Sequence, residues 1–286
     1  VDAPLQSLIN GQPTNLISIA DRGFQYGDGC FETVRVAGAH PVLLEAHLNR
    51  LENSCQQLGI PLPLTTLMQE IEQLLLSNSW PHAVLKITIT RGVGGRGYRP
   101  DPHAQSNRIV QLFAYSTAES PADGNGIEPG VSVMLCQHRL SSNRALAGMK
   151  HLNRLDQVLA SREIPEQFAE GLCMDQAGYL VEGCKSNLVL LRGDKLITPD
   201  LSESGVNGIM LQYLLNRFRE DGLTVESARV SFEELNDIGE AFLCNSVFGV
   251  WPVIKLSGNA TVFSWPVGSK TQQAIHYKNE IFNAAR

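Results

Sequence analysis

The stretch Tyr179-Leu180-Val181-Glu182-Gly183-Cys184-Lys185-Ser186-Asn187-Leu188 puts a carboxylate at the end of a short apolar run, then a turn of small residues, then a second apolar run. Runs of this length bounded by Gly and Ser read as two short strands joined by a tight turn. A glutamate at the end of a buried strand needs a cationic partner, because an uncompensated charge in an apolar setting is too costly to keep. The stretch therefore predicts a positive group facing Glu182.

Working outward, Gly205-Val206-Asn207-Gly208-Ile209-Met210 opens an amphipathic pattern. A helix that starts after glycine presents unpaired amides and is a ready anion site, although an ordinary turn and cap would read the same way. Upstream lies Ala147-Gly148-Met149-Lys150-His151-Leu152. Of seven lysines, Lys86 falls on the polar face of an alternating strand, Lys195 follows a Gly-Asp turn, and Lys270 and Lys278 sit in a polar C-terminal segment, all as expected of solvated charges. Lys150 differs from these in having small and apolar neighbours, where partial desolvation lowers an amine pKa and favours the nucleophilic form. By itself that context still suits a plain lysine at a helix start. Further upstream, His47 and Arg50 are three residues apart and share a helix face beside the apolar seam Leu44, Leu48, Leu51, Cys55 and Leu58.

Gly92-Val93-Gly94-Gly95-Arg96-Gly97 fits G-x-G-x-x-G and follows a predicted strand. The dinucleotide reading fails on what comes next, because Tyr98-Arg99-Pro100-Asp101-Pro102 cannot open the helix that would receive a pyrophosphate. Two readings remain: a plain glycine loop, or a substrate loop in which glycines let Arg91, Arg96, Tyr98 and Arg99 approach a carboxylate.

The periodicities predict a strand over Gly29–Val36, helices over 44–58 and 64–76, and strands at 85–89 and 108–115. Gly59 and Pro61 act as a stop after the first helix. Residues 116–130 are poor in large apolar side chains and rich in Pro, Gly and Ser, so a boundary is expected there: an N-terminal domain over 1–116, a linker over 117–130 and a C-terminal domain over 131–286. The second part is expected to hold a strand over 131–136, a polar loop, a helix from about Asn153, short strands between 171 and 198, a helix opening near Gly208, and strands at 223–230 and 241–256. The fold class is α+β in two domains.

With 286 residues, 43% hydrophobic and 18% charged, the chain can bury a large core. A formal charge of -6 and a pI near 5.7 argue against nucleic acid as a partner and leave a small molecule. Six cysteines without a C-x-x-C pair read as small hydrophobes in a reducing compartment, with no metal site expected. No apolar run is long enough to cross a bilayer, and residues 1–8 lack a signal-peptide pattern, so the expected location is the cytoplasm.

Taken in order, Leu8-Ile9-Asn10-Gly11, Asp21-Arg22-Gly23-Phe24-Gln25-Tyr26-Gly27-Asp28-Gly29, the His47/Arg50 pair, Lys150, Glu182-Gly183 with Ser186-Asn187, and Gly205 to Ile209 resemble the fold-type IV pyridoxal-phosphate (PLP) enzymes over nearly the whole chain. The resemblance implies a smaller N-terminal α/β domain, a larger C-terminal domain with a barrel-like sheet and helices, PLP as cofactor, and a homodimer. It implies that Lys150 carries the cofactor and moves the proton, that Glu182 pairs with the pyridine nitrogen, and that Arg50 and the amides near Gly208, Ile209 and Met210 hold the phosphate. Ser186 and Asn187 belong to the same cofactor set. A third phosphate contact in relatives comes from a hydroxyl-rich turn; here Asn245-Ser246-Val247 stands in its place, with Ser246 the one hydroxyl.

Within the family, Gly148 to Arg154 and Arg91 to Tyr98 look like the segments of its lyase members rather than those of its D-amino-acid and branched-chain aminotransferases. That implies elimination from an amino-bearing ring substrate whose carboxylate is held by Arg96, Tyr98 and Arg91. The cofactor residues do not separate the two activities, and a non-catalytic binding protein of the same fold is a remoter alternative.

Overall fold

The computed structural model describes residues 3–77, 80–115 and 130–283. These fall into two compact units: the first holds residues 3–115, the segment Met149–Asn153 and residues 282–283; the second holds residues 130–148 and Arg154–Ile281. Apart from Gly130, the expected linker lies outside the described residues.

The first unit begins with β1 (Gln6–Ile9), β2 (Gln12–Pro13), α1 (Arg22–Tyr26), β3 (Gly29–Ala37), β4 (His40–Pro41), α2 (Leu44–Leu58), α3 (Leu64–Leu76), β5 (His82–Thr90) and β6 (Asn107–Ala114). Its six strands are ordered β2-β1-β6-β5-β3-β4, and every pairing is antiparallel. Alternation decides which face is buried: Leu85, Ile87 and Ile89 on β5 are fully covered, while Lys86 and Thr88 are partly open. Each such apolar side chain contributes about 1.5–3 kcal/mol by leaving water. The helices α2 and α3 cover that face through Leu48, Leu51 and Cys55 and through Leu67, Ile71 and Leu74, the spacing of one helical stripe. Gly59 ends α2 in the left-handed conformation, its N–H returning to the carbonyls of Cys55 and Gln56.

The second unit comprises β7 (Val131–Leu140), α4 (Leu155–Ser161), β8 (Glu170–Asp175), β9 (Tyr179–Gly183), β10 (Asn187–Arg192), β11 (Lys195–Pro199), α5 (Ile209–Glu220), β12 (Thr224–Ala228), β13 (Val230–Ser231), β14 (Glu240–Asn245), β15 (Gly249–Gly258), β16 (Thr261–Ser264) and α6 (Ser269–Asn283). Strand order is β12-β11-β10-β14-β15-β7-β8-β9-β13, with β16 beside β15. The path from β10 through β14, β15, β7 and β8 reaches β9, and β9 joins β10 directly through the turn at 184–186. Six strands thus form a ring whose seam is that turn, around a core that includes Leu172, Leu188, Leu190, Leu243, Val253 and Leu256.

Two expectations fail for identifiable reasons. Residues 137–140 continue β7, so the expected polar loop starts only at Ser141: the Glu163 carboxylate accepts the N–H groups of Gln137 and His138 at 2.6 and 2.9 Å, standing in for a ladder where the register with β8 shifts. The polar C-terminal segment is helix α6, and Lys278 is buried on its inner face with Thr271, Ala274 and Tyr277, not solvated. Its long aliphatic stem lets a lysine occupy such a face.

All six cysteines are buried thiols. The sulfurs of Cys136, Cys173 and Cys184 lie within 4.8 Å of one another and cluster with Leu140, Ala160 and Val181, a convergence of two strands and the turn after β9 that cysteine spacing does not reveal.

Candidate active site

In the second unit the site is built around the seam turn. Glu182 ends β9 almost fully buried, and its Oε2 accepts the Val206 N–H at 2.8 Å and the Asn187 Nδ2 at 3.5 Å. Asn187 opens β10 and also donates to the Val206 carbonyl at 2.8 Å. Gly183 closes the turn by donating to the Ser186 carbonyl at 2.7 Å, and a Cβ on it would lie 2.3 Å from Ser186 Oγ, so only glycine fits. That Ser186 Oγ is buried and has no hydrogen-bond partner among the described residues.

Gly208 caps α5 without a side-chain hydrogen bond, and Ile209 and Met210 form its first turn with buried side chains. The amides of that turn are the unpaired donors of a twelve-residue helix, so the positive end of its dipole lies beside Asn187. Ser246 sits between β14 and β15, where Asn245 Oδ1 accepts the N–H groups of Val247 and Phe248. Gly148, two residues before Lys150, donates to the Gly205 carbonyl and accepts from the Asn207 N–H, both at 3.0 Å.

In the first unit Lys150 is half-buried, with its Nζ 4.6 Å from the centre of the Phe31 ring and its carbonyl accepting the Phe31 N–H at 2.9 Å. One residue along β3, Glu32 is buried, accepting Arg50 Nε at 2.7 Å and Nη2 at 2.6 Å, and facing His47 Nδ1 at 2.6 Å. Burial alone would raise the Glu32 carboxyl, but His47 and Arg50 outweigh it and hold it below the usual carboxylate range. Burial pushes His47 below its ordinary value despite Glu32, with the charges of Arg50 and Lys150 adding to the shift. The imidazole is therefore neutral, donates from Nδ1, and carries a lone pair on Nε2, which is buried without a partner among the described residues.

The glycine loop is held by a residue whose role the sequence reading missed. Arg22, buried in α1, donates to Asp28 at 2.9 Å, to the Gly97 carbonyl at 2.8 Å and to the Tyr98 carbonyl at 2.9 Å. A Cβ at Gly94 would lie 2.6 Å from the Arg22 Cδ, so glycine there lets the loop close over the arginine. Arg91, expected on a substrate carboxylate, is used differently: its guanidinium donates to both Asp28 oxygens and to the carbonyls of Leu58 and Gly59, at 2.7–3.0 Å. It braces the loop's base. Arg96 is exposed, and Tyr98 is exposed with its ring edge-on to Tyr26 at 5.6 Å.

Glu170 was also missed. It is buried at the start of β8, accepts the Gly171 N–H from Oε1, and has no partner for Oε2 among the described residues. Burial pushes its carboxyl up to about 7 against the charge of Lys185.

In the first unit a lysine beside a ring and an arginine on a helix, and in the second a buried carboxylate near open helix amides with a Ser186 hydroxyl unpartnered among the described residues, are each groups of the kind that a phosphorylated pyridine aldehyde takes. The chain belongs to the class IV aminotransferases: the family described as Amino-transferase class IV matches residues 29–256. Within that family it is 34% identical over 268 residues to the aminodeoxychorismate lyase of Vibrio harveyi, covering 93% of this chain and 96% of that protein. It matches the crystal structure of 4-amino-4-deoxychorismate lyase from Pseudomonas aeruginosa at 39% identity and a TM-score of 0.86, covering 96% of this chain and 98% of that one. The branched-chain amino acid aminotransferase of Escherichia coli shares the fold, with a TM-score of 0.83 at 22% identity over 98% of this chain and 94% of that one.

Proposed function

We infer that this chain is a PLP-dependent lyase that converts 4-amino-4-deoxychorismate to 4-aminobenzoate and pyruvate, a step toward folate. Its similarity over nearly full length to two aminodeoxychorismate lyases is the observation that carries the reading. PLP, when bound, supplies an electron sink for the carbon next to the substrate nitrogen.

Lys150 Nζ would hold the cofactor at its aldehyde end and, as a free amine, would take the proton from the substrate ring carbon that bears the amino group. Its Nζ lies 4.6 Å from the centre of the Phe31 ring, which sets where the amine sits. Glu182 would face the pyridine nitrogen and favour its protonated form, and the contacts of its carboxylate with the Val206 N–H and the Asn187 amide keep it aimed. Arg50 and the amides of Ile209 and Met210 hold the phosphate, with Ser186, Asn187, Gly208 and Ser246 completing the cofactor set. Arg96 and Tyr98, on a loop anchored by Arg22 and braced by Arg91, orient a substrate carboxylate. Loss of the enolpyruvyl group leaves an aromatic ring, which drives the elimination forward.

The test is to supply aminodeoxychorismate and follow 4-aminobenzoate and pyruvate without any added keto acid. A strict need for a keto-acid acceptor would favour an aminotransferase, a reading that the shared fold supports. Lys150→Ala should abolish turnover together with the visible absorbance of bound cofactor.

The protein acts as a homodimer in this reading. Leu16, Ile19, Phe24 and Tyr98 are large apolar side chains exposed in the first unit, and a second copy of the chain would cover them. Light scattering that gives a monomer mass at micromolar concentration would exclude this. Six free thiols suit a reducing cytoplasm, and among the described residues no helix is long and apolar enough to cross a membrane.

A further inference from the structure

We propose that Glu32 is a positioning residue for the cofactor phosphate, acting through Arg50: it fixes the guanidinium by one edge so that the other meets the phosphate. The proposal rests on the reading of Arg50 as a phosphate ligand. Arginine side chains have many rotamers, and the entropy lost on fixing one counts directly against ligand affinity. Here that ordering is already accomplished. Nε and Nη2 form the side-on edge, which Glu32 engages with two bonds of 2.7 and 2.6 Å, and the end-on edge through Nη1 then points away from the carboxylate.

Glu32 is itself immobilised. It lies near the start of β3, a nine-residue strand paired along its length with β5, and its Oε2 also takes the Nδ1 of His47, one helical turn before Arg50 on α2. The strand therefore grips the helix at two points, His47 and Arg50, through one carboxylate. Neighbouring Phe31 packs against Lys150, so the same strand sets both the amine and the phosphate arginine. Glu32 touches neither substrate nor cofactor in this account. Its effect is confined to the phosphate end.

That confinement gives a test that global damage cannot mimic. Full-length wild type and variants are stripped of cofactor and titrated with PLP and with pyridoxal, which lacks the phosphate. The ratio of the two dissociation constants is the readout. Glu32→Gln places an amide against the arginine and should weaken PLP by roughly tenfold to a hundredfold, the value of one hydrogen-bonded charged contact, while leaving pyridoxal unchanged. Glu32→Asp keeps the charge, serves if the glutamine variant folds poorly, and should fall between the two. Arg50→Ala should collapse the ratio further, and adding Glu32→Gln to it should change nothing more.

If Arg50→Ala leaves the ratio intact, the phosphate reading of Arg50 fails and takes the proposal with it. If Arg50→Ala collapses the ratio while Glu32→Gln and Glu32→Asp weaken PLP and pyridoxal equally or neither, Arg50 keeps its role and the proposal for Glu32 is overturned.

Discussion

Gly208→Ala isolates one contact on which the arrangement of Asn187 and Glu182 in the second unit depends. The backbone of Gly208, with φ -65° and ψ 138°, is one any residue adopts, so on conformational grounds alanine should stabilise the fold by about 0.4–1 kcal/mol through a less entropic unfolded chain. The surroundings reverse that sign. A Cβ there would sit 1.9 Å from Asn187 Oδ1 and 3.1 Å from its Cγ. Asn187 is buried and can yield only by turning away from the Val206 carbonyl and from Glu182. A buried polar group stripped of its partner costs about 1–3 kcal/mol, so after the gain of about 0.4–1 kcal/mol a net destabilisation of roughly 0.6–2 kcal/mol is expected, together with weaker PLP binding as Glu182 loses a support. Urea unfolding monitored by fluorescence should show a lower midpoint at an unchanged slope. Gly95→Ala is the control, since a Cβ there meets nothing within 4 Å. A Gly208→Ala protein as stable as wild type, with equal PLP affinity, would refute the reasoning.

Asp28 lies between two buried arginines, and although burial alone would raise its carboxyl, Arg91 and Arg22 hold it below its ordinary 3.8. Its stabilisation is therefore present above that value and lost as pH falls through the lower folded value. Asp28→Asn should cost about 3–5 kcal/mol at pH 7 and nothing at the acid limit, which unfolding across pH 2–7 would reveal as converging curves. Glu170 has the opposite sign: raised to about 7 from 4.5, its contribution is complete below 4.5 and is lost as pH rises through 7. Because glutamine cannot ionise, Glu170→Gln should gain on wild type above pH 7 by up to about 3 kcal/mol, and equal urea midpoints at pH 6 and 8.5 would contradict the assignment.

Elements with a single strong period were legible in the sequence. The stripe from Leu44 to Leu58 and the stop at Gly59 are local facts, and so is the Gly-rich opening of α5. The order of the short motifs led to the family, and the proposal of Lys150 and Glu182 rests on the same order. What escaped depends on partners distant in sequence. Arg22 and Arg91 look equivalent as isolated arginines beside glycine, and only the positions of Asp28 and of the loop carbonyls show that both are structural. Glu32 is an ordinary polar residue in an alternating strand until α2 lays His47 and Arg50 over it. Lys278 reads as solvated because a polar helix with a narrow buried face has almost no apolar period to detect.

The strand ring also has a consequence in time. Its seam carries Glu182, Ser186 and Asn187, yet the strands that link β10 back to β7 are β14 and β15, and β15 ends at Gly258, about seventy residues after Asn187 in the chain. At typical synthesis rates of about 5–20 residues per second, roughly 4–14 s separate the emergence of the seam from that of the strands that close it. During that interval the nascent chain carries the residues proposed to hold the cofactor without the strands that close around them. On that proposal cofactor capture should mark the end of folding, and a pulse of labelled PLP would enter completed chains before any nascent one.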